Sequence, residues 1–375
     1  MAIHRQICAL AKLGCMQKVI SPAPWVPWPF RHLSAKWRGY SEVPAREVRD
    51  GVEVYIPRYA VFPRAIWLAS SGWRMYWAVV GIVGKISREF PFDLIHAHTA
   101  LPDGYAAMLL SKRYRKPLIV TFRASDLDIA AKKSPACFRA LRSVATFARR
   151  TICPSPRLAK VMATSFGIQA KVICNGIDPG VIDAGDGLLL GTEHRVVVSV
   201  SRLIATKGID GNLRAIALLR GKYPNLMYWV VGDGPERPAL ERLASDLGLR
   251  SMVEFVGQVP HEEAIRYMKS AEVFSLPSWQ ETFGLAYLEA MACGKPVIAV
   301  LNQGIDGIVV PGETGLLVRP RDLESLTEAL DFLLGHPEEA KAMGERARKK
   351  VLENFTWQKN AEETARVYRE VLSEA

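Results

Sequence analysis

Two glutamates, Glu281 and Glu289, frame the segment Glu281-Thr-Phe-Gly-Leu-Ala-Tyr-Leu-Glu289. It follows an apolar run closed by Pro277 and precedes Gly294 and Pro296, the residue types that end a helix. A helix is therefore expected to open near Gly284, with Glu281 in the loop before it. At about 1.5 Å per residue, Glu289 falls roughly one and a half turns inside. The free amides of Thr282, Phe283, Gly284 and Leu285, backed by the helix dipole, make an anion site suited to a diphosphate. Glu289 is placed to accept hydrogen bonds from a diol such as a ribose.

A second stretch, Val198-Ser-Val-Ser-Arg-Leu-Ile-Ala-Thr-Lys-Gly208, ends a strand and offers Arg202 and Lys207 before a helix-opening glycine. Arg as a fork and Lys as a point charge can together neutralise a diphosphate. Alone, such a pair reads as a solvated loop; one structural unit before a helix N-terminal anion site, it reads as functional. A third stretch, Val231-Gly-Asp-Gly-Pro-Glu-Arg237, has the strand–turn–helix context of a dinucleotide fingerprint but lacks its third glycine. No acidic residue closes the next strand, so nicotinamide binding is not expected. Asp126-Leu-Asp128 spells Asp-x-Asp, yet follows a Rossmann-type strand and is not read as a metal site. His98, alternating with His96 at a strand end, is taken as cleft-facing.

The elements that must position these residues alternate short β-type runs with helical stretches, the signature of mainly parallel, doubly wound sheets. In the first half strands are expected at 18–21, 53–57, 93–97, 117–122 and 151–154, with helices such as 64–89, broken, and 105–114. A polar stretch at 183–193 is the linker candidate. The second half restarts the pattern, with strands at 195–200, 226–231, 253–256, 273–276 and 296–300. Helices are expected there at 209–222, 236–247, 261–270 and 284–293. Two more follow at 322–334 and 338–353, and a last runs from 357 to about 372. The fold expected is two Rossmann-like domains, 1–180 and 190–356, facing a central cleft, with the helix 357–375 completing the first.

With 375 residues the chain is too long for one ordinary core. Its six cysteines are scattered, without Cys-x-x-Cys or a His pairing at zinc-ligand spacing, which points to reduced thiols in a cytoplasmic protein. No cleavable signal is read at the start, and the longest apolar stretch, 75–84, is about half of the ~20 residues a spanning helix needs. Charge is uneven: residues 1–178 hold 27 basic and 10 acidic side chains, against 22 and 28 in the remainder. Six of the nine tryptophans also lie in the basic part. Without a nucleic-acid motif, this balance favours an anionic membrane surface over nucleic acid.

Together these stretches resemble the retaining family 4 glycosyltransferases of GT-B architecture. The resemblance runs from about residue 93 to the end. It includes Asp93-Leu-Ile-His-Ala-His98, Val172-Ile-Cys-Asn-Gly-Ile-Asp178, the Ser201–Gly208 stretch, Val231-Gly-Asp-Gly-Pro235, Phe255-Val-Gly-Gln258, Glu281…Glu289 and Gly312-Glu-Thr-Gly-Leu-Leu-Val318. It implies that Arg202 and Lys207 hold the donor diphosphate with amides near Gly284 and Leu285. It also implies that Gly257, Gln258 and Val259 line the base, that Glu289 binds the ribose, and that Glu281 contacts the transferred sugar. The activity implied is transfer of a hexose from a nucleoside diphosphate sugar to a hydroxyl of a glycan or lipid-linked acceptor, with retention. Neither cofactor nor metal is expected. A donor-binding protein without turnover and a nucleotide-sugar epimerase are the alternatives.

Two departures accompany the resemblance. Where relatives carry Thr-x-His-Gly-x-Asp, this chain reads Thr121-Phe-Arg-Ala-Ser-Asp126, so Arg123, with His98 and Asp126, is an acceptor-side candidate that contacts an anionic group. Arg123 cannot serve as a base at neutral pH. Residues 3–14 already read as the first helix and 18–21 as the second strand. The expectation is thus a first domain lacking the family's opening strand and glycine loop, with the true start upstream of Met1.

Overall fold

The computed structural model describes residues 2–32, 34–62, 66–188, 194–305 and 307–374. The chain divides into two compact units, residues 1–174 with 360–375, and residues 175–359.

In the first unit, helix Ala2–Lys12 is followed by β1 (Val19–Ile20), β2 (Ala23–Pro24), β3 (Arg46–Arg49), β4 (Val52–Tyr55) and β5 (Arg58–Tyr59). Then come β6 (Ile95–Ala97), β7 (Leu118–Thr121), β8 (Arg150–Cys153) and β9 (Lys171–Val172). The strands of this unit fall into three sheets among the described residues. The order β6-β7-β8-β9 forms one parallel sheet, β1-β4-β3 a second, and β2-β5 a small third. Within the second sheet β3 and β4 are joined by the two residues Asp50-Gly51, a connection short enough only for an antiparallel hairpin.

Helix Ser71–Glu89 buries Met75, Val79 and Val83, at helical spacing, against Ala106 and Leu110 of helix Tyr105–Tyr114. The expected start of that helix at 64 falls outside the described residues; a short 3-10 turn at Leu68–Ser70 leads into it. The last helix, Trp357–Ser373, supplies Val367 and Val371 to the core beneath β7 and β8, and Ala361 and Ala365 to the one beneath Leu10. The linker reading is answered only in part, because residues 189–193 lie outside the described ones.

The second unit is a six-stranded, all-parallel sheet: β10 (Arg195–Val200), β11 (Leu226–Val231), β12 (Val253–Gly257), β13 (Val273–Ser275), β14 (Val297–Val300) and β15 (Gly315–Val318). Their order is β12-β11-β10-β13-β14-β15. The chain starts in the middle, builds outward on one side, then returns to build on the other. That reversal lies between β10 and β13, and ligands of such sheets bind beyond the strand C-termini at this point. β10, β11 and β14 are apolar and buried almost throughout, as expected where helices cover both faces.

A buried polar network fixes the switch point. Ser199 Oγ lies 2.7 Å from the Tyr228 hydroxyl, and Asn212 Nδ2 donates to the Ser275 carbonyl at 3.0 Å. Ser275 Oγ returns a bond to Asn212 Oδ1 at 2.7 Å. Every member is satisfied, so the network ties β10, β11, β13 and helix Ile209–Leu219 into one register.

Candidate functional site

In the second unit the loops that follow β10 and β13 carry the residues singled out in sequence. The β10 loop runs from Ser201 to the short 3-10 turn Ala205–Lys207 and on to Gly208, whose φ of +69° opens helix Ile209–Leu219. A Cβ there would lie 2.4 Å from the Pro277 carbonyl oxygen, so the β10 and β13 loops touch backbone to backbone. The amide of Trp279 and the hydroxyl of Ser278 both donate to the Thr206 carbonyl, each at 3.1 Å. The Gly232-Asp-Gly234 turn has a similar purpose. Side chains at the two glycines would meet the Ser201 and Leu203 carbonyl oxygens at 1.9 and 2.2 Å. These glycines let the turn lie against the loop that carries Arg202.

Lys207 Nζ donates to Glu281 Oε2 at 2.5 Å, and both side chains are largely shielded from solvent. Glu281 is held from three further directions: its amide by Gln303 Oε1 at 3.1 Å, its carbonyl by the Gly304 amide at 3.1 Å, and Oε1 by the Thr282 amide at 3.1 Å. Helix Leu285–Ala292 then begins, with Gly284 as its N-cap. The amides of Phe283, Gly284, Leu285 and Ala286 donate to no described residue. Buried Tyr287 hydrogen-bonds the Leu276 carbonyl and sets the direction of that helix. Arg202 is exposed, and its guanidinium has no side-chain partner among the described residues. The result is an ammonium clamped by a carboxylate at a helix N-terminus, with unpaired amides and a free guanidinium on the same pair of loops. This is an arrangement for a multiply charged anion.

Glu289 receives a bond from His261 Nε2 at 2.8 Å. Sequence reading missed His261. It sits at the start of helix His261–Ser270, four residues beyond Gly257, and fastens the Gly257–Val259 stretch to the helix carrying Glu289. Gly257 ends β12 with its carbonyl accepting from Gly232 at 2.8 Å, while Gln258 is exposed and Val259 half-buried. Gln303 and Gly304, which fix Glu281, were also missed; they sit beyond the next strand.

The acceptor-side candidates cluster in the first unit. Arg123 Nε donates to the His98 carbonyl at 2.8 Å. Asp126 is 1 % exposed, and its two oxygens accept the amides of Leu101 at 3.1 Å and Arg123 at 2.9 Å. Both oxygens of this acceptor-side candidate hold backbone, so Asp126 positions the loops bearing His98 and Arg123. Burial raises its pKa to about 6, partly offset by those amides. The His98 ring lies 4.3 Å from that of His96, and Nδ1 of His98 is buried without a hydrogen-bond partner among the described residues. Burial, then the neighbouring His96 and Arg123, keep His98 well below its usual pKa. His96 is held at about 3 by burial and Arg123, and its nitrogens bond the Tyr368 and Thr121 hydroxyls at 2.7 and 2.8 Å. The second aspartate of Asp126-x-Asp128 is gripped through both oxygens by Arg157, at 3.2 and 2.5 Å.

Residues 3–181 match the family model described as Glycosyltransferase Family 4, and residues 186–350 the one described as Glycosyl transferases group 1. The D-inositol 3-phosphate glycosyltransferase of Kribbella flavida is 30% identical over 303 residues, covering 74% of this chain and 71% of the relative. The chain belongs to the family 4 glycosyltransferases. A Bacillus subtilis glycosyltransferase named for teichuronic acid biosynthesis, TuaC, is 29% identical over 333 residues, 87% of this chain and 82% of that one. Among solved structures, sucrose-phosphate synthase from Thermosynechococcus elongatus superposes with a TM-score of 0.79 at 24% identity, covering 100% of this chain and 93% of the other. Anabaena HepE in complex with UDP gives 0.75 at 19%, covering 98% and 96%. These establish the fold: two α/β domains with parallel sheets, as in GT-B glycosyltransferases. The family makes this protein a glycosyltransferase of the hexosyltransferase type.

Proposed function

We propose that this glycosyltransferase moves a hexose from a nucleoside diphosphate sugar to a hydroxyl of a glycan or lipid-linked acceptor, with retention, in the synthesis of a cell-surface polysaccharide or glycolipid. The observation that carries the donor part is the Lys207–Glu281 pair at 2.5 Å beside the unpaired amides of Phe283–Ala286, at the sheet's switch point. As the anomeric C–O bond to the diphosphate breaks, negative charge grows on the leaving oxygen. Lys207, Arg202 and the helix N-terminus form a preorganised field that lowers that barrier. Those cations make a divalent metal unnecessary in this reading, so added magnesium or manganese leaves turnover unchanged. The acceptor oxygen bonds the anomeric carbon on the face the diphosphate leaves, and its proton passes to a phosphate oxygen. Glu289, oriented by His261, takes the ribose diol; Glu281 contacts the transferred sugar.

The family resemblance to TuaC, a protein named for teichuronic acid biosynthesis, and the basic first half support an anionic or lipid-linked acceptor at the cytoplasmic membrane face. No described helix is long and apolar enough to cross a membrane, so contact with lipid in this reading is peripheral.

A thermal-shift screen against nucleoside diphosphates and their sugars tests the donor reading. A ligand at 100 times its Kd stabilises the native state by about 2.7 kcal/mol. Transfer from the best stabilising donor to a lipid-linked or polysaccharide acceptor, with product anomer read by NMR, tests the rest. Binding without transfer selects a donor-binding protein, and conversion of donor without acceptor selects an epimerase.

A further inference from the structure

Helix Ala2–Lys12 carries His4 and Cys8 one turn apart, so both side chains leave the same face. A third ligand type reaches that face from a distant part of the sequence. The turn between β3 and β4 has positive φ at both central residues, 49° at Asp50 and 77° at Gly51, as a two-residue type I′ hairpin requires. It aims the Asp50 carboxylate at the helix: Oδ2 lies 2.6 Å from His4 Nε2. His4 Nε2 is 3.7 Å from Cys8 Sγ, and the three ligand atoms lie within 4.8 Å of one another.

These separations are close to those of ligands sharing one ion. With Zn–S about 2.3 Å and Zn–N about 2.0–2.1 Å, the S···N edge of a tetrahedron is about 3.5 Å and the N···O edge about 3.3 Å. The His4–Cys8 spacing needs almost no adjustment, and the His4–Asp50 pair must open by less than about 1 Å, within the reach of side-chain rotation. A thiolate, an imidazole and a carboxylate form a mixed S, N, O set that suits zinc or cobalt rather than magnesium or calcium. Thiolate and carboxylate together would neutralise a divalent charge, and three protein ligands leave a fourth position for water.

We propose that His4, Cys8 and Asp50 form a zinc-type transition-metal site that clasps the N-terminal helix to the β3–β4 hairpin. It shares no residue with the donor-side candidates named above, all of which belong to the other unit. There is something for such a clasp to do. Among the described residues the β1-β4-β3 sheet makes no strand pairing with β6–β9, whereas helix Ala2–Lys12 is anchored to the last helix by Leu10 packing on Ala361 and Ala365 and by Gln6 Nε2 donating to Thr364 Oγ1 at 3.1 Å. A bound ion would join the small sheet to that anchored helix. On a helix, His4-x-x-x-Cys8 sets an imidazole and a thiol one turn apart, a pairing the sequence reading did not weigh.

Full-length protein stripped with chelator and titrated with Co²⁺ tests this. The expected result is one equivalent bound, with a thiolate-to-cobalt charge-transfer band in the near ultraviolet and tetrahedral-strength visible bands, all abolished by one equivalent of Zn²⁺. Cys8→Ser removes the charge-transfer band and Cys15→Ser leaves it. His4→Asn and Asp50→Asn each weaken binding by at least about ten-fold, the loss already typical of outer-shell partners. Absence of the thiolate band in the wild-type chain, or its survival in Cys8→Ser, overturns the proposal. The wild-type titration decides even where a variant does not fold. Donor-induced thermal shifts, read in parallel, report on the other unit and are unaffected by either result.

Discussion

In the proposed donor site, Lys207 and Glu281 pair with each other. Each neutralises the other at 2.5 Å, and the pair is shielded, so removing one partner strands the other's charge in a poorly solvated place. Lys207→Ala is therefore expected to lower kcat/KM by about 10²–10³, since it removes a charge aimed at the leaving diphosphate and leaves Glu281 opposing it. Steady-state kinetics with varied donor check this, and an unchanged kcat/KM defeats the assigned role. Glu289→Gln should behave differently. A hydrogen bond to a charged group contributes about 1.5–3 kcal/mol, so the Kd for a nucleoside diphosphate should rise roughly ten- to a hundred-fold, with inorganic diphosphate unaffected. Calorimetry with both ligands separates the outcomes. In the other unit, His96 and Asp126 pull stability in opposite directions with pH. His96 titrates at about 3 when folded and near 6.5 when unfolded, so its contribution is lost as pH falls below about 6.5. Asp126, raised to about 6 from an ordinary value near 4, instead favours the folded state as pH falls through that window. In chemical denaturation, His96→Gln should flatten the acid loss of stability between about pH 6.5 and 4, and Asp126→Asn should steepen it, each by up to about 1.4 kcal/mol per pH unit.

At the scale of elements, the switch point depends on Asn212, which bonds Ser275 twice and Tyr228 at 3.0 Å from helix Ile209–Leu219. Asn212→Leu keeps the volume but strands the buried Ser275 hydroxyl, at about 1–3 kcal/mol, and removes donors from Ser199, Tyr228 and the Ser275 carbonyl. The expected loss is about 2–4 kcal/mol in chemical denaturation, with donor affinity falling too, because β10 and β13 carry both halves of the site. A change under about 0.5 kcal/mol would mean that the network does not hold the register. This unit was the more legible in sequence: strands such as Arg195–Val200 and Leu226–Val231 are continuous β-branched and aromatic runs, buried on both faces. The hairpin β3–β4 was hard to read because Arg46–Arg49 is mostly charged and exposed, and β15 because four residues at a sheet edge carry little pattern. Glu281 and Glu289 stood out because the glycine and proline around them mark a helix and its ends. His261, Gln303 and Asp50 did not, since each reaches its partner across tens of residues, a proximity that only tertiary packing creates.

At the scale of the molecule, the basic residues of the first half have a context that composition alone did not provide. Trp25, Trp67, Trp73 and Trp77 are each more than half exposed, and Trp73 and Trp77 meet edge to face at 5.9 Å on helix Ser71–Glu89. The adjoining helix Tyr105–Tyr114 and helix Pro135–Phe147 line an open groove of about 740 Å³, with Tyr105, Met108 and Phe147 as its apolar part and Lys112, Arg139 and Arg142 as its charge. Exposed aromatics and cations on one unit are what a headgroup layer accommodates: rings enter the interface while the cations meet anionic lipid. Each such cation contributes about 1 kcal/mol near an anionic surface, so Lys112→Glu/Arg139→Glu/Arg142→Glu should lower partition to anionic vesicles by at least about a hundred-fold. Trp73→Ala/Trp77→Ala should weaken partition at low and high salt alike, because its contribution is apolar. The charge variant's deficit should shrink at 1 M salt, where the screening length falls to about 3 Å. Vesicle co-sedimentation across both variants and both salt conditions resolves the two terms. Equal partition of the wild-type chain to neutral and anionic vesicles would rule out the electrostatic term, and with it the argument that the charge imbalance serves an acceptor held at the membrane.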